Sequence, residues 1–154
     1  MIFKVFISHS SKDNDIVNSL YSVLKQSGIE VYAALFSYTP GIQLSKKILD
    51  GIRKSDCVLV LLTGRARMSN WVQNEIGMAK ALGKLIIPIV EEGVKVPSIL
   101  AGIEYIRFDK KEPLRTVEHI RRYFEQLKLQ KERNAIFGLG LAALFLGLII
   151  LASD

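Results

Sequence analysis

The sequence predicts an α/β domain, and three observations support that prediction. Short apolar runs alternate along the chain with segments whose apolar residues recur at helical spacing. Residues 57–62 (CVLVLL) are apolar without interruption, as in a strand that is covered on both faces. Strands followed by helices are typical of a parallel sheet joined by helical crossovers. We therefore expect a doubly wound, flavodoxin-like sheet of five parallel strands in the order 2-1-3-4-5.

The predicted elements follow one another from the N-terminus. The strands are residues 2–7, 29–33, 57–62, 85–90 and 104–108. Four helices are predicted between and after these strands. The first has Ile16, Leu20, Val23 and Leu24 on its apolar face, and the second has Leu44, Ile48 and Ile52. The third and fourth are residues 71–83 and 114–129. Gly28 is expected to end the first helix, because glycine readily adopts the left-handed conformation that follows many helices. Residues 91–102 are expected to be mostly loop.

A charge-free segment, AIFGLGLAALFLGLIILA, occupies residues 135–152. As a helix it would be about 27 Å long, close to the hydrocarbon thickness of a bilayer. A buried core helix is the alternative, although such helices usually carry a polar stripe. We expect a transmembrane helix here. The chain would then comprise a folded domain at 1–128, a basic juxtamembrane linker at 129–134 and the span at 135–152.

Basic residues are distributed unevenly around this predicted span. No Lys or Arg follows it, whereas Arg121, Arg122, Lys128, Lys131 and Arg133 precede it. The positive-inside rule then predicts a single-pass, C-terminally anchored membrane protein with its N-terminal domain in the cytoplasm. The first strand begins almost at Met1, so we expect no signal peptide. The chain has one cysteine, which excludes an internal disulfide and agrees with a reducing compartment.

Several ligand classes are disfavoured. The net charge is +6, but no aromatic side chains interleave with the basic ones as a nucleic-acid platform would need, and lipid headgroups account better for the charge. His9 and His119 are far apart in sequence, so we expect no metal site. The first loop, SHSSKD, is not glycine-rich and no Walker pattern occurs, so we expect no bound cofactor. A phosphoacceptor receiver needs an Asp where Thr63 stands.

Helix 71–83 contains the most informative anomaly of the sequence. At 100° per residue, Glu75 lies in the middle of the helix's apolar arc, and Trp71 shares that face one turn earlier. An inward carboxylate is costly unless it is hydrogen-bonded or functional. It also lies near the carboxyl edge of the sheet, where ligands of doubly wound folds bind, beside loops 8–13, 36–41 and 63–70. The alternatives are a Glu75 satisfied by nearby backbone amides and a Trp71 that only packs in the core.

The first loop also supplies the residue types of a hydrolytic triad. These are Ser8, His9 and Asp13. Nearness in sequence is not geometric evidence for such a triad, and a hydrogen-bonded turn is the more economical interpretation.

Taken in order, these motifs resemble the Toll/interleukin-1 receptor (TIR) domain, especially its prokaryotic branch, over roughly residues 2–128. The segments that carry the resemblance are VFISHSSKDN at 5–14, the Pro40-Gly41 pair, SKKILDGIRKSDCVLVLLT at 45–63, WVQNE at 71–75 and GKLIIPIV at 83–90. The resemblance implies one of two activities. Some members cleave the nicotinamide–ribose bond of NAD, whereas others are non-catalytic modules that bind other TIR domains.

The resemblance also implies roles for individual residues. Glu75 matches the catalytic glutamate of the NAD-cleaving members, and Trp71 would pack on the ribose or shape the pocket. The first loop would contact the ribose and phosphates, and the second loop would stack on a ring. The residues concerned are Ser8, Ser10, Ser11 and Lys12 in the first loop and Phe36 and Tyr38 in the second.

The NAD-cleaving members generally act as assemblies, so the resemblance implies that activity here depends on oligomerisation. The second loop, LFSYTPG, departs from the family because it lacks the acidic residues common before its Pro-Gly pair. Small residues four apart, such as Gly138 and Ala142, would let helices of the predicted span approach closely. We expect NAD as substrate, self-association through the TIR domain and the predicted span, and a role in defence or stress signalling. The rival hypotheses are a non-catalytic TIR–TIR module and a nucleoside-transferring relative with the same fold and an active-site Glu.

Overall fold

The computed structural model describes residues 2–33, 40–41, 43–65 and 70–137. It contains a five-stranded sheet in the order β2-β1-β3-β4-β5 with every neighbouring pair parallel, which confirms the predicted α/β fold. The strands are β1 (Phe3–Ser8), β2 (Ile29–Ala33), β3 (Cys57–Leu62), β4 (Leu85–Glu91) and β5 (Ile106–Phe108). The helices are α1 (Asn14–Gln26), α2 (Leu44–Lys54), α3 (Asn70–Ala81) and α4 (Pro113–Phe137). Single 3₁₀ turns occur at Ser11–Asp13 and Ser98–Leu100.

Two apolar layers cover the sheet. On one face α1 and α4 contribute Val17, Leu20, Phe124 and Leu127 to a core shared with β1, β2 and β3. On the other face α2 and α3 contribute Ile48, Ile52, Ile76 and Ala79. Every residue of β3 is buried, as its uninterrupted apolar sequence predicts for a central strand between two layers.

The sheet topology creates a crevice beside β1. This strand pairs with β2 on one side and with β3 on the other, so the strand order reverses there. Helices α1 and α2, which follow β1 and β2, therefore lie on opposite faces of the sheet. The carboxyl ends of β1 and β3 border the crevice, which is the usual ligand position in doubly wound sheets.

Two strands run one residue further than the sequence predicts. β1 includes Ser8, and β4 includes Glu91. Both residues are polar and buried at the carboxyl edge, where backbone pairing continues after the apolar run has ended. Strand β5 is shorter than predicted, and the long connection before it contains the 3₁₀ turn Ser98–Leu100.

The C-terminal part of the chain corrects one prediction. Helix α4 continues through the predicted linker at 129–134 and ends at Phe137, so it includes the first residues of the predicted span. Along its length charged side chains alternate with the apolar ones that pack on the sheet, which leaves no continuous apolar stretch. No helix in the described ranges is both long enough and apolar enough to cross a bilayer. The predicted membrane localisation, with its cytoplasmic orientation, is therefore wrong. Residues 138–152 of the predicted span lie outside the described residues.

Candidate active site

Glu75 lies on the buried side of α3. Its neighbours on that side are Val72, Ile76 and Ala79, and its own residue surface is only 2% exposed. The sequence pattern predicts this inward orientation, and the structure confirms it. The carboxyl group therefore projects from the second turn of the helix toward the carboxyl edge of the sheet, beside the end of β1.

Ser8 faces this carboxyl group from the last position of β1. Its residue is completely buried, and its Oγ forms no hydrogen bond of ordinary geometry in the described part of the chain, although it lies close enough to Glu75 to lower the pKa of that carboxyl group. The Oε2 atom of Glu75 is also buried and forms no hydrogen bond of ordinary geometry. Two buried polar atoms that are this poorly satisfied, on facing elements, cost free energy that a bound molecule could recover.

The environment of Glu75 sets its protonation. Burial in the apolar layer raises the pKa of Glu75 from 4.5 to about 7, although the nearby Ser8 hydroxyl and Trp71 indole both act to lower it. Removal from water disfavours the charged form, and these two polar neighbours compensate only partly. Near neutral pH the side chain therefore exchanges between carboxylate and carboxylic acid. A positively charged ligand would bind the carboxylate form.

Trp71 does not join the core. Its residue is 37% exposed, whereas Glu75 on the next turn is almost fully buried. The interpretation of Trp71 as ordinary core packing is therefore wrong. The partly exposed indole lies at the rim of the site, close enough to Glu75 to lower the pKa of its carboxyl group.

The first loop forms a compact turn at the same edge of the sheet. The Lys12 backbone N–H donates to Ser10 Oγ over 3.3 Å, and the Asp13 N–H donates to the Ser10 carbonyl over 3.0 Å. Ser11 and Lys12 are exposed on this turn. Among the predicted site residues, the structure thus brings Ser8, Trp71 and Glu75 together and places Ser10, Ser11 and Lys12 nearby on one turn. Phe36 and Tyr38 lie outside the described residues.

The residue types of a hydrolytic triad do not form one. His9 is buried, and its Nδ1 lies 3.4 Å from the Ile7 carbonyl. Burial lowers the pKa of His9, against smaller opposing effects of the Ile7 carbonyl, Asp13 and Asn14, so its imidazole is neutral at pH 7. Ser8 Oγ has no partner, so His9 is not placed to deprotonate it. This loop is the hydrogen-bonded turn that the sequence also allows.

Two buried carboxylates at this edge have contacts that the sequence analysis did not predict, although it considered Asp13 as part of a triad. Asp13 accepts hydrogen bonds from the Thr63 hydroxyl, and Glu91 accepts one from the Gly64 backbone. A usable signal exists in hindsight, because Thr63 directly follows β3 and Glu91 ends the apolar run of β4. Polar residues at such positions meet at one edge of a parallel sheet. No cluster of three or more His, Cys, Asp or Glu residues within these described segments could hold a metal ion.

Comparison with known proteins extends over most of this fold. A family model described as TIR domain matches residues 5–124. Two bacterial relatives are each 33% identical over 92 residues: 2' cyclic ADP-D-ribose synthase BtTIR of Bacteroides thetaiotaomicron and 2' cyclic ADP-D-ribose synthase AbTIR of Acinetobacter baumannii. Each match covers 56% of this chain but only 32% and 34% of the two relatives. The chain thus spans about a third of their length.

Solved structures show the same architecture. The TIR domain of a Toll-related receptor from Hydra magnipapillata has a TM-score of 0.64 at 24% identity, covering 77% of this chain and 94% of that domain. The CMP N-glycosidase BcmB of Clostridium botulinum has a TM-score of 0.59 at 21% identity, covering 76% and 97%. At these identities the likeness concerns the fold alone. From the family match over residues 5–124, together with the sheet order and helix positions, the chain belongs to the TIR domain family.

Proposed function

We propose that this chain cleaves the nicotinamide–ribose bond of NAD, with Glu75 as the catalytic residue. The observation that carries the proposal is the buried carboxyl group of Glu75, one oxygen of which forms no hydrogen bond of ordinary geometry, beside the buried hydroxyl of Ser8. The names of the two bacterial relatives, both cyclic ADP-ribose synthases, support NAD as the substrate class. NAD would be the substrate, with no further cofactor or metal required.

The bond that breaks suits a site with a single carboxylate. The electron pair of the C1'–N bond passes to the pyridinium ring, and nicotinamide leaves as a neutral molecule without needing a proton. The ribosyl carbon becomes oxocarbenium-like, as in other glycoside cleavages. A Glu75 carboxylate facing that carbon would stabilise the developing positive charge in a region from which water is largely excluded. A second, proton-donating carboxylic acid is unnecessary.

The acceptor of the ribosyl carbon decides the product. Attack by water gives ADP-ribose, and attack by a hydroxyl group of the same substrate gives a cyclic product; either releases one proton. The Ser8 hydroxyl would hydrogen-bond to the ribose beside Glu75, and Trp71 would pack on it from the rim. Ser10, Ser11 and Lys12 would contact the phosphates, where Lys12 supplies the positive charge. Phe36 and Tyr38 would stack on a ring of the substrate.

The proposal includes self-association of this chain through its TIR domain. The relatives' family assembles through its TIR domains, and a site that is completed by a neighbouring copy would be active only in assemblies. Turnover per molecule would then rise with protein concentration, and this coupling would suit a protein that acts in defence or stress signalling.

The test measures nicotinamide release from NAD by the purified chain over a wide range of protein concentration, free and clustered on beads. The chain should release nicotinamide, and Glu75→Gln should lower the rate at least about a thousandfold, as loss of a central electrostatic group does. Asp56→Asn is the matched control, because Asp56 is a partly buried, hydrogen-bonded carboxylate at the opposite edge of the sheet. It should keep the wild-type rate per folded molecule.

Other outcomes would overturn the proposal. Intact NAD under all clustering conditions would favour a non-catalytic TIR–TIR module, in which Glu75 is structural. Exchange of a nucleobase between nucleosides, with NAD untouched, would favour the nucleoside-transferring alternative. Equal loss of activity in Glu75→Gln and Asp56→Asn would mean that Glu75 acts through folding rather than chemistry.

A further inference from the structure

A buried carboxylate fastens the first loop to the end of β3. Asp13 is completely buried, and its two oxygens lie 2.8 and 2.9 Å from the Thr63 Oγ1. The hydroxyl has a single proton, which both oxygens share. The only positive charge paired with Asp13 in the described ranges is that of Arg65, whose guanidinium is 3.4 Å away and half exposed. An ionised group in this position is costly to bury and is held by few contacts.

The segment that receives Asp13 is itself anchored from the other side. The Gly64 backbone N–H donates to Glu91 Oε2 over 2.6 Å, and Glu91 is 6% exposed at the end of β4. Lys110 forms an ion pair with the same carboxylate over 3.3 Å. The buried carboxylate of the first loop thus contacts Thr63, and the buried carboxylate of β4 contacts Gly64. The end of β3 is therefore a firm support for Asp13.

Fixing Asp13 fixes the turn before it. The Asp13 N–H and the Lys12 N–H both donate to Ser10, one to its carbonyl and one to its hydroxyl. The three residues Ser10, Ser11 and Lys12 therefore move together with the Asp13 backbone. They are also the residues expected to contact the ribose and phosphates of the substrate. The Asp13–Thr63 contact joins residues 50 positions apart, so local sequence does not maintain this geometry.

We propose that Asp13 is a positioning residue that holds the turn Ser10–Lys12 against the end of β3 and so sets the affinity of the site for the dinucleotide. This inference rests on the proposed function, because it assigns the turn to NAD. Asp13 does not touch the substrate itself. Its effect should appear in KM, because a loosened turn weakens contacts that the bound substrate and its transition state share equally.

The experiment removes or keeps the Thr63 hydroxyl, which donates the hydrogen bond that Asp13 accepts. Thr63→Val removes the donor with little change of shape, and Thr63→Ser keeps it. We expect Thr63→Val and Asp13→Ala, each of which removes one side of the contact, to raise KM for NAD about tenfold or more, with kcat per folded molecule much less affected. Thr63→Ser should stay near the wild-type KM. Asp56→Asn should lower the denaturation midpoint without changing KM, since loss of folded protein lowers the apparent kcat alone.

A second measurement does not depend on turnover. Hydrogen exchange at the amides of residues 12 and 13 should accelerate in Thr63→Val and Asp13→Ala, but not in Asp56→Asn. Unchanged exchange at these amides, or a Thr63→Ser variant as impaired as Thr63→Val, would overturn the positioning role. A wild-type chain that leaves NAD intact would instead overturn the proposed function, and with it the assignment of the turn to NAD, while the exchange result still decides whether Asp13 fixes the turn.

Discussion

The two edges of the sheet differ in how completely their polar groups are hydrogen-bonded. At the amino edge, Asp56 accepts a 2.8 Å hydrogen bond from the Lys4 backbone and forms a 2.8 Å ion pair with Lys131. Lys84 donates to the Ser55 carbonyl over 2.7 Å, and Lys128 donates to the Ser27 carbonyl over 3.1 Å. Each lysine thus satisfies an acceptor where a helix ends or a strand begins.

At the carboxyl edge, several buried polar atoms form no hydrogen bond of ordinary geometry in the described part of the chain. They are Ser8 Oγ, His9 Nε2, Asn14 Oδ1 and Glu75 Oε2. Asn134 Nδ2 in α4 is the one such atom away from this edge. An unsatisfied buried polar atom costs about 1–3 kcal/mol, so this edge is less stable than it could be. The amino edge is built for stability, and the carboxyl edge keeps polar groups available for a ligand.

Breaking the amino edge should have the largest effect on stability. Asp56→Ala leaves the Lys4 N–H without its acceptor and removes the ion pair of Lys131, whose ammonium keeps the Ile2 carbonyl alone as a hydrogen-bond acceptor. We expect a loss of about 3 kcal/mol in the free energy of unfolding. Urea denaturation measures this loss. A change below about 0.5 kcal/mol would mean that the paired edge contributes no more than an exposed ion pair.

Substitution of Glu75 should change the free energy of unfolding in the opposite direction, toward greater stability. Its pKa is raised by burial to about 7 in the folded chain, against 4.5 when unfolded. The folded state therefore favours the protonated form, and stability is lost as the pH rises from about 4.5 through 7. Glu75→Gln removes this loss of stability and should stabilise the chain by about 3 kcal/mol at pH 8, with little effect at pH 4.

Urea denaturation of wild type and Glu75→Gln at a series of pH values tests this sign. A variant that is less stable than wild type at pH 8 would show that the carboxylate is well satisfied in the fold. The contrast between the two edges would then disappear.

Gly28 offers a smaller test of the amino edge. Its φ is +72°, a conformation that costs an L-residue about 1–2 kcal/mol, and a Cβ there would lie 2.8 Å from Lys128 Nζ. Gly83 has a similar φ of +62° but open space around its Cβ position. Gly28→Ala should therefore destabilise the chain more than Gly83→Ala, and the difference in unfolding free energy isolates the displaced Lys128. Equal losses would show that this lysine moves freely.

The fold could be read from the sequence because its signals are local. An apolar run identified β3 and helical spacing identified α1, and neither needs knowledge of a distant residue. The same locality explains the failures. The apolar run at 135–152 suggested a membrane span, but hydropathy did not show that the charged helix α4 reaches Phe137.

The position of a site residue could be predicted where the spacing within one helix or strand determines it. The inward position of Glu75 follows from the spacing within α3 alone. The contacts of Asp13 with Thr63 and of Glu91 with Gly64 join residues 50 and 27 positions apart, and nothing in the local sequence pairs them. The exposure of Trp71 also depends on how α3 sits on the sheet, which its helical face could not reveal.

Ser8→Ala should have the smallest effect on stability and separates the two edges most sharply. The Ser8 hydroxyl is fully buried and forms no hydrogen bond of ordinary geometry, so its removal should leave the free energy of unfolding unchanged or raise it by less than about 1 kcal/mol. Because this hydroxyl lowers the pKa of Glu75, the variant should also shift the rising limb of kcat/KM against pH to higher pH. At pH 7 its NAD cleavage should be slower. Parallel urea denaturation and pH–rate profiles measure both effects. A variant that loses stability and activity together would mean that Ser8 belongs to the framework rather than to the site.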